Sequence, residues 1–188
     1  MWAIVKDSKL VKLTQGNESI TEGEIVHPKS IFRHWTQSQL KAVGVYEFIS
    51  ANAPDNRFEN GGGVNYAVDD SAGTVTETIA TTDKPLADLK TFYKNDINQR
   101  SAKFLVSTDW MIVRKAEDSS KSIASAVTTY RAAVRTKANE ICTAIDNCDT
   151  LDKLKALFVD EFNEDGSLKT IAKINDFPND EDVIGYYR

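Results

Sequence analysis

The chain has 188 residues, of which 41% are hydrophobic and 27% are charged, and its formal net charge at pH 7 is −5. These values are typical of a globular protein and exclude a chain that is disordered throughout. The negative net charge argues against a nucleic-acid-binding protein, whose surface is usually strongly basic, and no apolar stretch is long enough to span a bilayer.

The chain opens with residues that favour strands and tight turns. Two apolar runs, residues 2–6 and 10–13, flank a short polar turn, which predicts a β-hairpin. Thr36 is followed three residues later by Gln39, and this capping-box pattern predicts the start of a short helix. Gly44 is the predicted end of that helix, because glycine readily adopts the left-handed conformation found there.

More strands are predicted before the pattern changes. Residues 45–49 indicate one strand, and residues 64–69 and 74–81 flank a turn that predicts a second hairpin. We therefore predict a small antiparallel β-rich domain over residues 1–84. The strands precede the helices in the chain, which is typical of the α+β class.

From Pro85 the apolar residues recur every three or four positions, which predicts helices. The first helix is expected to end near Ser107, the second to begin near Asp118, and a short third helix to follow Thr150. Residues 85–160 are thus predicted to form a helical hairpin domain with a short third helix. Residues 161–188 are predicted to be a polar turn and an acidic C-terminal tail.

One charged side chain interrupts the apolar stripe of the first predicted helix. Arg100 lies between Ile97 and Phe104 on that stripe, and a buried guanidinium requires an acidic partner. We predict that Asp109, at the hinge between the helices, is this partner. The predicted structural clamp comprises Arg100, Asp109, Trp110, Tyr130 and Arg131, with Trp110 covering the ion pair. The alternative is that Arg100, Arg131 and Arg135 bind a phosphate or an anionic glycan.

The second predicted helix carries an apolar stripe beside several alanines. Its members include Ile123, Val127, Val134 and Ile141. Small residues beside such a stripe allow a partner helix to approach closely, either within the chain or from another subunit. We predict these four residues as interface residues.

Residues that could carry catalysis are few. The two histidines, His27 and His34, belong to no recognised catalytic or metal-binding motif. A calcium-loop-like stretch that begins at Glu161 places Ala172 where the essential bidentate carboxylate should be. The sequence therefore predicts a protein that is not an enzyme and that has no cofactor and no metal. Cys142 and Cys148 are predicted to be free thiols.

A run of residues in the helical half is characteristic. Arg100 is followed by Thr108-Asp109-Trp110 and then by Tyr130-Arg131 and Arg135. This order resembles the C-terminal helical segment of bacteriophage tail-fibre assembly proteins and related tail proteins. The opening hairpin and the stretch from Pro28 to Trp35 are similar to the start of several phage tail proteins.

The resemblance implies a non-enzymatic bacteriophage tail structural protein, associated with the fibre or the baseplate and acting by protein–protein packing. Such a protein would be made in the host cytoplasm and located in the virion tail. Its expected partners are tail-fibre or baseplate proteins and further copies of itself, with no nucleic acid and no membrane. Two alternatives are a tail-fibre assembly chaperone and a host-glycan-binding tail tip, in which Trp35 would contact the glycan.

Overall fold

The computed structural model describes residues 1–180 and divides the chain into two compact units, Met1–Asp83 and Lys84–Arg188. The division falls next to the one predicted after residue 84. Strands dominate the first unit and helices the second, which confirms the α+β class. Residues 161–180 belong to the second unit and do not form the separate tail that we predicted. Residues 181–188, the end of that predicted tail, lie outside the described residues.

The first unit contains seven strands and two short helices in the described chain. They are β1 (Trp2–Lys6), β2 (Lys9–Thr14), β3 (Ile20–Glu22), β4 (Ile25–His27), α1 (Ile31–His34), α2 (Gln37–Ala42), β5 (Val45–Ile49), β6 (Glu59–Asp69) and β7 (Thr74–Asp83). Five strands form one sheet in the order β2-β1-β5-β7-β6, and β3 pairs with β4 separately. β5 runs parallel to β7, so the sheet is mixed and not purely antiparallel as predicted.

Local signals in the sequence explain several of these boundaries. The side chain of Thr36 accepts a hydrogen bond from the backbone of Gln39, and the side chain of Gln39 accepts one from the backbone of Thr36, which confirms the capping box. Gly44 has a φ of +74°. A side chain there would also place its Cβ 2.5 Å from the carbonyl oxygen of Val5. Gly44 is therefore required both for the helix end and for the approach to β1.

Each face of the five-stranded sheet carries its own apolar cluster, because successive strand residues point to opposite faces. One cluster consists of Ala3, Val5, Tyr46, Phe48 and Val75. The other packs α1 and α2 onto the sheet and consists of Ile20, Ile31, Leu40 and Val45, with Trp2, Phe32 and Trp35 among its partly buried members.

The turns of the two sheet hairpins meet at one carboxylate. Asp70, between β6 and β7, accepts hydrogen bonds from the Ser8 hydroxyl, between β1 and β2, and from the Tyr46 hydroxyl at 2.7 Å. These bonds lower the pKa of Asp70. The bond to Asp70, together with burial, raises the pKa of Tyr46 to about 12. The two edges of the sheet are thus joined through a single side chain.

The second unit is built on two long helices. Its elements are α3 (Leu86–Val106), α4 (Asp109–Glu117), α5 (Ser125–Asp146), α6 (Leu151–Ala156), β8 (Glu161–Phe162), β9 (Leu168–Thr170) and a 3₁₀ turn (Lys173–Asn175). α4 and the β8–β9 hairpin are absent from the sequence-based prediction. Thr150 caps α6 by accepting a hydrogen bond from the backbone of Lys153.

The core of the second unit lies along the predicted stripes of α3 and α5. Its buried residues include Leu89, Tyr93 and Ile97 on α3 and Val127, Val134, Ile141 and Ile145 on α5. Over the part of the chain that the structure describes, no helix has both the length and the apolar character needed to cross a bilayer.

Candidate functional site

A buried arginine ties the helices of the second unit together. Arg131 on α5 has a side chain that is only 7% exposed. One terminal nitrogen of its guanidinium donates to Asp109 Oδ1 at 2.7 Å. The other terminal nitrogen donates to Thr108 Oγ1 and to the carbonyl oxygen of Leu105, each at 2.7 Å. We call Arg131, Asp109 and Thr108 the clamp.

The three partners of Arg131 lie at the corner between α3 and α4. Leu105 is in the last turn of α3, Thr108 is fully buried in the connection, and Asp109 is the first residue of α4. A carboxylate at this position also interacts favourably with the partial positive charge of the α4 N-terminus. The clamp therefore fixes the direction in which α4 leaves α3, and it anchors that corner to α5.

The predicted pairing of Arg100 with Asp109 is wrong. Arg100 is half-buried and donates to the carbonyl oxygen of Ile174 at 2.9 Å and to Asn175 Oδ1 at 3.1 Å. Its guanidinium also lies over the ring of Phe177, 5.2 Å from the centroid. The partners come from a turn more than seventy residues later in the chain, which the spacing of apolar residues on α3 cannot reveal.

Two further members of the predicted clamp have different roles. Trp110 is 41% exposed and does not cover the ion pair. Its ring lies beneath the guanidinium of Arg114, at 4.8 Å from the centroid. Tyr130 is buried and packs in a cluster with Met111 and Val134. The prediction that Trp110 covers the ion pair is therefore wrong.

The four predicted interface residues are not available to a partner. Val127, Val134 and Ile141 are fully buried in the core of the second unit, and Ile123 is half-buried against the same cluster. α3 packs along α5, and α4 adds the buried Met111 to the cluster that contains Val127 and Val134. These residues pack within the chain, which is one of the two alternatives that the sequence left open, and their burial leaves no face for another subunit.

α4 instead presents an apolar surface of its own. Met111 faces the core, whereas Trp110, Ile112 and Val113 are 41%, 40% and 55% exposed. These three residues occupy the outward half of the helix, and we call them the α4 surface. Arg114 lies beside it, over the Trp110 ring. Several large apolar side chains exposed on one short helix are a common sign of an interaction site.

The cysteine, histidine and acidic side chains among residues 1–180 form no metal site, and the two cysteines are not bonded to each other. Cys142 is half-buried and Cys148 is buried, and both are free thiols. Burial raises the pKa of each thiol, which reduces the amount of nucleophilic thiolate at neutral pH. Within residues 1–180, no group of three or more His, Cys, Asp or Glu side chains is arranged to hold a metal ion.

Comparison with known proteins does not assign the chain to a family. No protein-family model, no curated protein and no solved structure matches the chain. The α4 surface and the clamp beneath it are the features of the helical unit from which a function can be argued.

Proposed function

We propose that the protein is a non-enzymatic bacteriophage tail structural protein, associated with the fibre or the baseplate, and that it acts by packing against another tail protein. In this proposal the chain is made in the host cytoplasm and stays in the virion tail. The observation that carries the proposal is the α4 surface, an exposed apolar helix face held in place by the ion pair between the buried Arg131 and the half-exposed Asp109.

The clamp consists of residues that carry the resemblance to phage tail proteins. Thr108, Asp109 and Arg131 belong to the sequence pattern on which that resemblance rests, and they meet in one hydrogen-bonded group. The same pattern contains Trp110, which lies on the α4 surface. The same few residues therefore fix the orientation of α4 and place an apolar side chain on its exposed surface, as a docking site for another protein requires.

The α4 surface favours a particular kind of partner. Its apolar side chains are bordered by Arg114 and followed by Lys115, both in the last turn of α4. A partner face that combines apolar side chains with carboxylates would match this surface in both hydrophobicity and charge. We propose that such a face is on a fibre or baseplate protein, and a second copy of this chain is the alternative occupant.

Location in the particle is the first test. Mass spectrometry of purified phage particles should find the protein in a fixed ratio to the fibre or baseplate proteins. A protein that is absent from finished particles, but whose loss leaves the fibres misassembled, would support the alternative role of a tail-fibre assembly chaperone. Absence from particles together with normal assembly would refute both roles.

The second test addresses the α4 surface directly. Val113→Asp places a charge at the centre of the surface without altering a buried residue, so folding should be retained while incorporation into particles falls at least tenfold. The matched control is Val159→Asp, because Val159 is an exposed valine outside the helices of the same unit. Equal incorporation of both variants would show that α4 is not the docking surface.

A further inference from the structure

A cleft in the first unit combines aromatic rings with positive charge. It has a volume of about 460 Å³ and is lined by Trp2, Phe32, Lys29, Arg33 and neighbouring polar residues. This volume lies within the range of about 300–1,000 Å³ that is usual for small-molecule sites. The Trp2 and Phe32 rings lie 5.9 Å apart at an interplanar angle of 47°, so they form an angled apolar wall.

The positive charge in the cleft is not neutralised by the described part of the chain. Within residues 1–180, no carboxylate forms an ion pair with Lys29 or Arg33. The acidic residue closest in sequence to the cleft-lining Asn17 is Glu18, and it is already paired with Lys12 at 2.7 Å. Both cations are exposed and are therefore available to an anionic ligand.

A glycine shapes the opposite side of the cleft. Gly16 has a φ of +74°, and a Cβ added there would lie 2.9 Å from Cγ of Phe32. The loop can therefore rest against the edge of the Phe32 ring only because residue 16 lacks a side chain. This close approach places the side-chain amides of Gln15 and Asn17 at the same cleft as the aromatic wall.

We propose that this cleft binds an acidic sugar, a pyranose ring that carries a carboxylate or a phosphate. The planar guanidinium of Arg33 can donate two parallel hydrogen bonds to such an anion, and Lys29 adds a second positive charge. The C–H groups on one face of a sugar ring are weakly positive and pack well on the negative faces of aromatic rings. The amides of Gln15 and Asn17 supply hydrogen bonds for sugar hydroxyls.

The proposed site differs from the one expected from the sequence. Trp35, the residue expected to contact a glycan, is half-buried against His27 with ring centroids 5.1 Å apart, and it does not line the cleft. The proposal concerns the first unit alone and does not depend on the α4 surface. Failure of either one therefore leaves the other standing.

The test is a binding titration of the full chain followed by NMR of the tryptophan indole N–H groups, with Trp2→Phe used to assign the Trp2 signal. The probes are sialyllactose, a uronate-bearing chondroitin disaccharide and mannose 6-phosphate, with lactose, N-acetylgalactosamine and mannose as their respective neutral controls. At least one acidic probe should shift the Trp2 signal, and its neutral counterpart should bind at least tenfold more weakly. The preferred probe distinguishes a carboxylate from a phosphate.

Variants of the cations make the test specific. Arg33→Gln should weaken binding of the preferred acidic probe by about tenfold or more, and Arg33→Lys should recover only part of it, because lysine keeps the charge but not the two parallel hydrogen bonds. Lys9→Gln is the control, since Lys9 is an exposed lysine of the same unit that does not line the cleft.

Several results would overturn the proposal. These are no binding of any of the three acidic probes, equal binding of acidic and neutral probes, and unchanged affinity in Arg33→Gln. Tighter binding of uridine monophosphate than of all three acidic sugars would also overturn it, because the cleft would then be a nucleotide site.

Discussion

Two substitutions remove the ion pair of the clamp, and we expect them to lower the free energy of unfolding by different amounts. Asp109→Ala leaves the guanidinium of Arg131, which is 7% exposed, without its negatively charged partner. Removing one member of a buried pair costs about 3–5 kcal/mol, but Asp109 is 52% exposed and water already screens this pair. We therefore expect Asp109→Ala to lower the free energy of unfolding by about 2 kcal/mol.

Arg131→Met should be milder. Methionine fills a similar volume and leaves no buried charge, Asp109 remains half-exposed to water, and Thr108 still donates its hydroxyl hydrogen to the carbonyl oxygen of Leu105 at 3.0 Å. We expect a loss within about 1 kcal/mol. The double variant Asp109→Ala/Arg131→Met should be more stable than Asp109→Ala alone, because the stranded charge is gone.

The assay is urea unfolding followed by circular dichroism at 222 nm, which reports mainly on α3 and α5 because they are the longest helices described. A loss of about 2 kcal/mol in a unit of this size corresponds to a fall in Tm of roughly 8 °C. The reasoning fails if Arg131→Met is at least as destabilising as Asp109→Ala, or if the double variant shows no recovery.

Two further predictions test other parts of the fold. Phe177→Ala should lower the free energy of unfolding by about 2 kcal/mol in the same assay, because the ring packs 5.0 Å from that of Phe104; an unchanged urea midpoint would mean that this segment does not support the core. The raised pKa of Tyr46 makes the stability of the first unit sensitive to alkali. The hydrogen bond from Tyr46 to Asp70 contributes fully to the free energy of unfolding below pH 10, the ordinary pKa of tyrosine, and this contribution is lost as the pH rises through about 12. The comparison is between the wild type and Tyr46→Phe, measured by urea unfolding with tryptophan fluorescence. The wild type should be more stable by a constant amount from pH 7 to 9, and this difference should shrink above pH 10. A constant difference up to pH 12 would contradict the role of the bond to Asp70.

Features set by neighbouring residues could be predicted from the sequence. The capping box of Thr36, the helix end at Gly44 and the cap of Thr150 each depend on chemistry within a few residues, and the structure confirms all three. The two sheet hairpins were predictable for the same reason, because the turn residues and the flanking strands are adjacent in the chain.

Features set by distant residues could not be predicted in this way. The parallel pairing of β5 with β7 joins strands from separate parts of the chain, and no local pattern encodes it. The sequence pairs Arg100 with Asp109, nine residues away, whereas Arg100 donates hydrogen bonds to Ile174 and Asn175 and its acidic neighbour is Asp96 on α3, at 3.9 Å. Arg131, one position beyond the predicted stripe, is the arginine that is buried.

The α4 helix shows how one missed element changes the interpretation of a site. With residues 109–117 taken as part of the hinge, only the first helix of the predicted hairpin covers the α5 stripe, so its apolar residues are also expected to be able to meet another subunit. As a helix, the same segment buries Met111 against Val127 and Val134 and exposes Val113 on its other side. The apolar residues that remain exposed are therefore on α4, and not on α5 where the sequence analysis places them.

The five-stranded sheet ends at β6, and this edge strand contains a β-bulge between Gly61 and Val64 that affects how the chain behaves at high concentration. Gly62 and Gly63 lie opposite the single residue Ala80, so the regular hydrogen-bond spacing of this sheet edge is interrupted. A strand from another molecule would find only short stretches on either side with which to pair. Fibrillar stacking through this open edge is thereby discouraged.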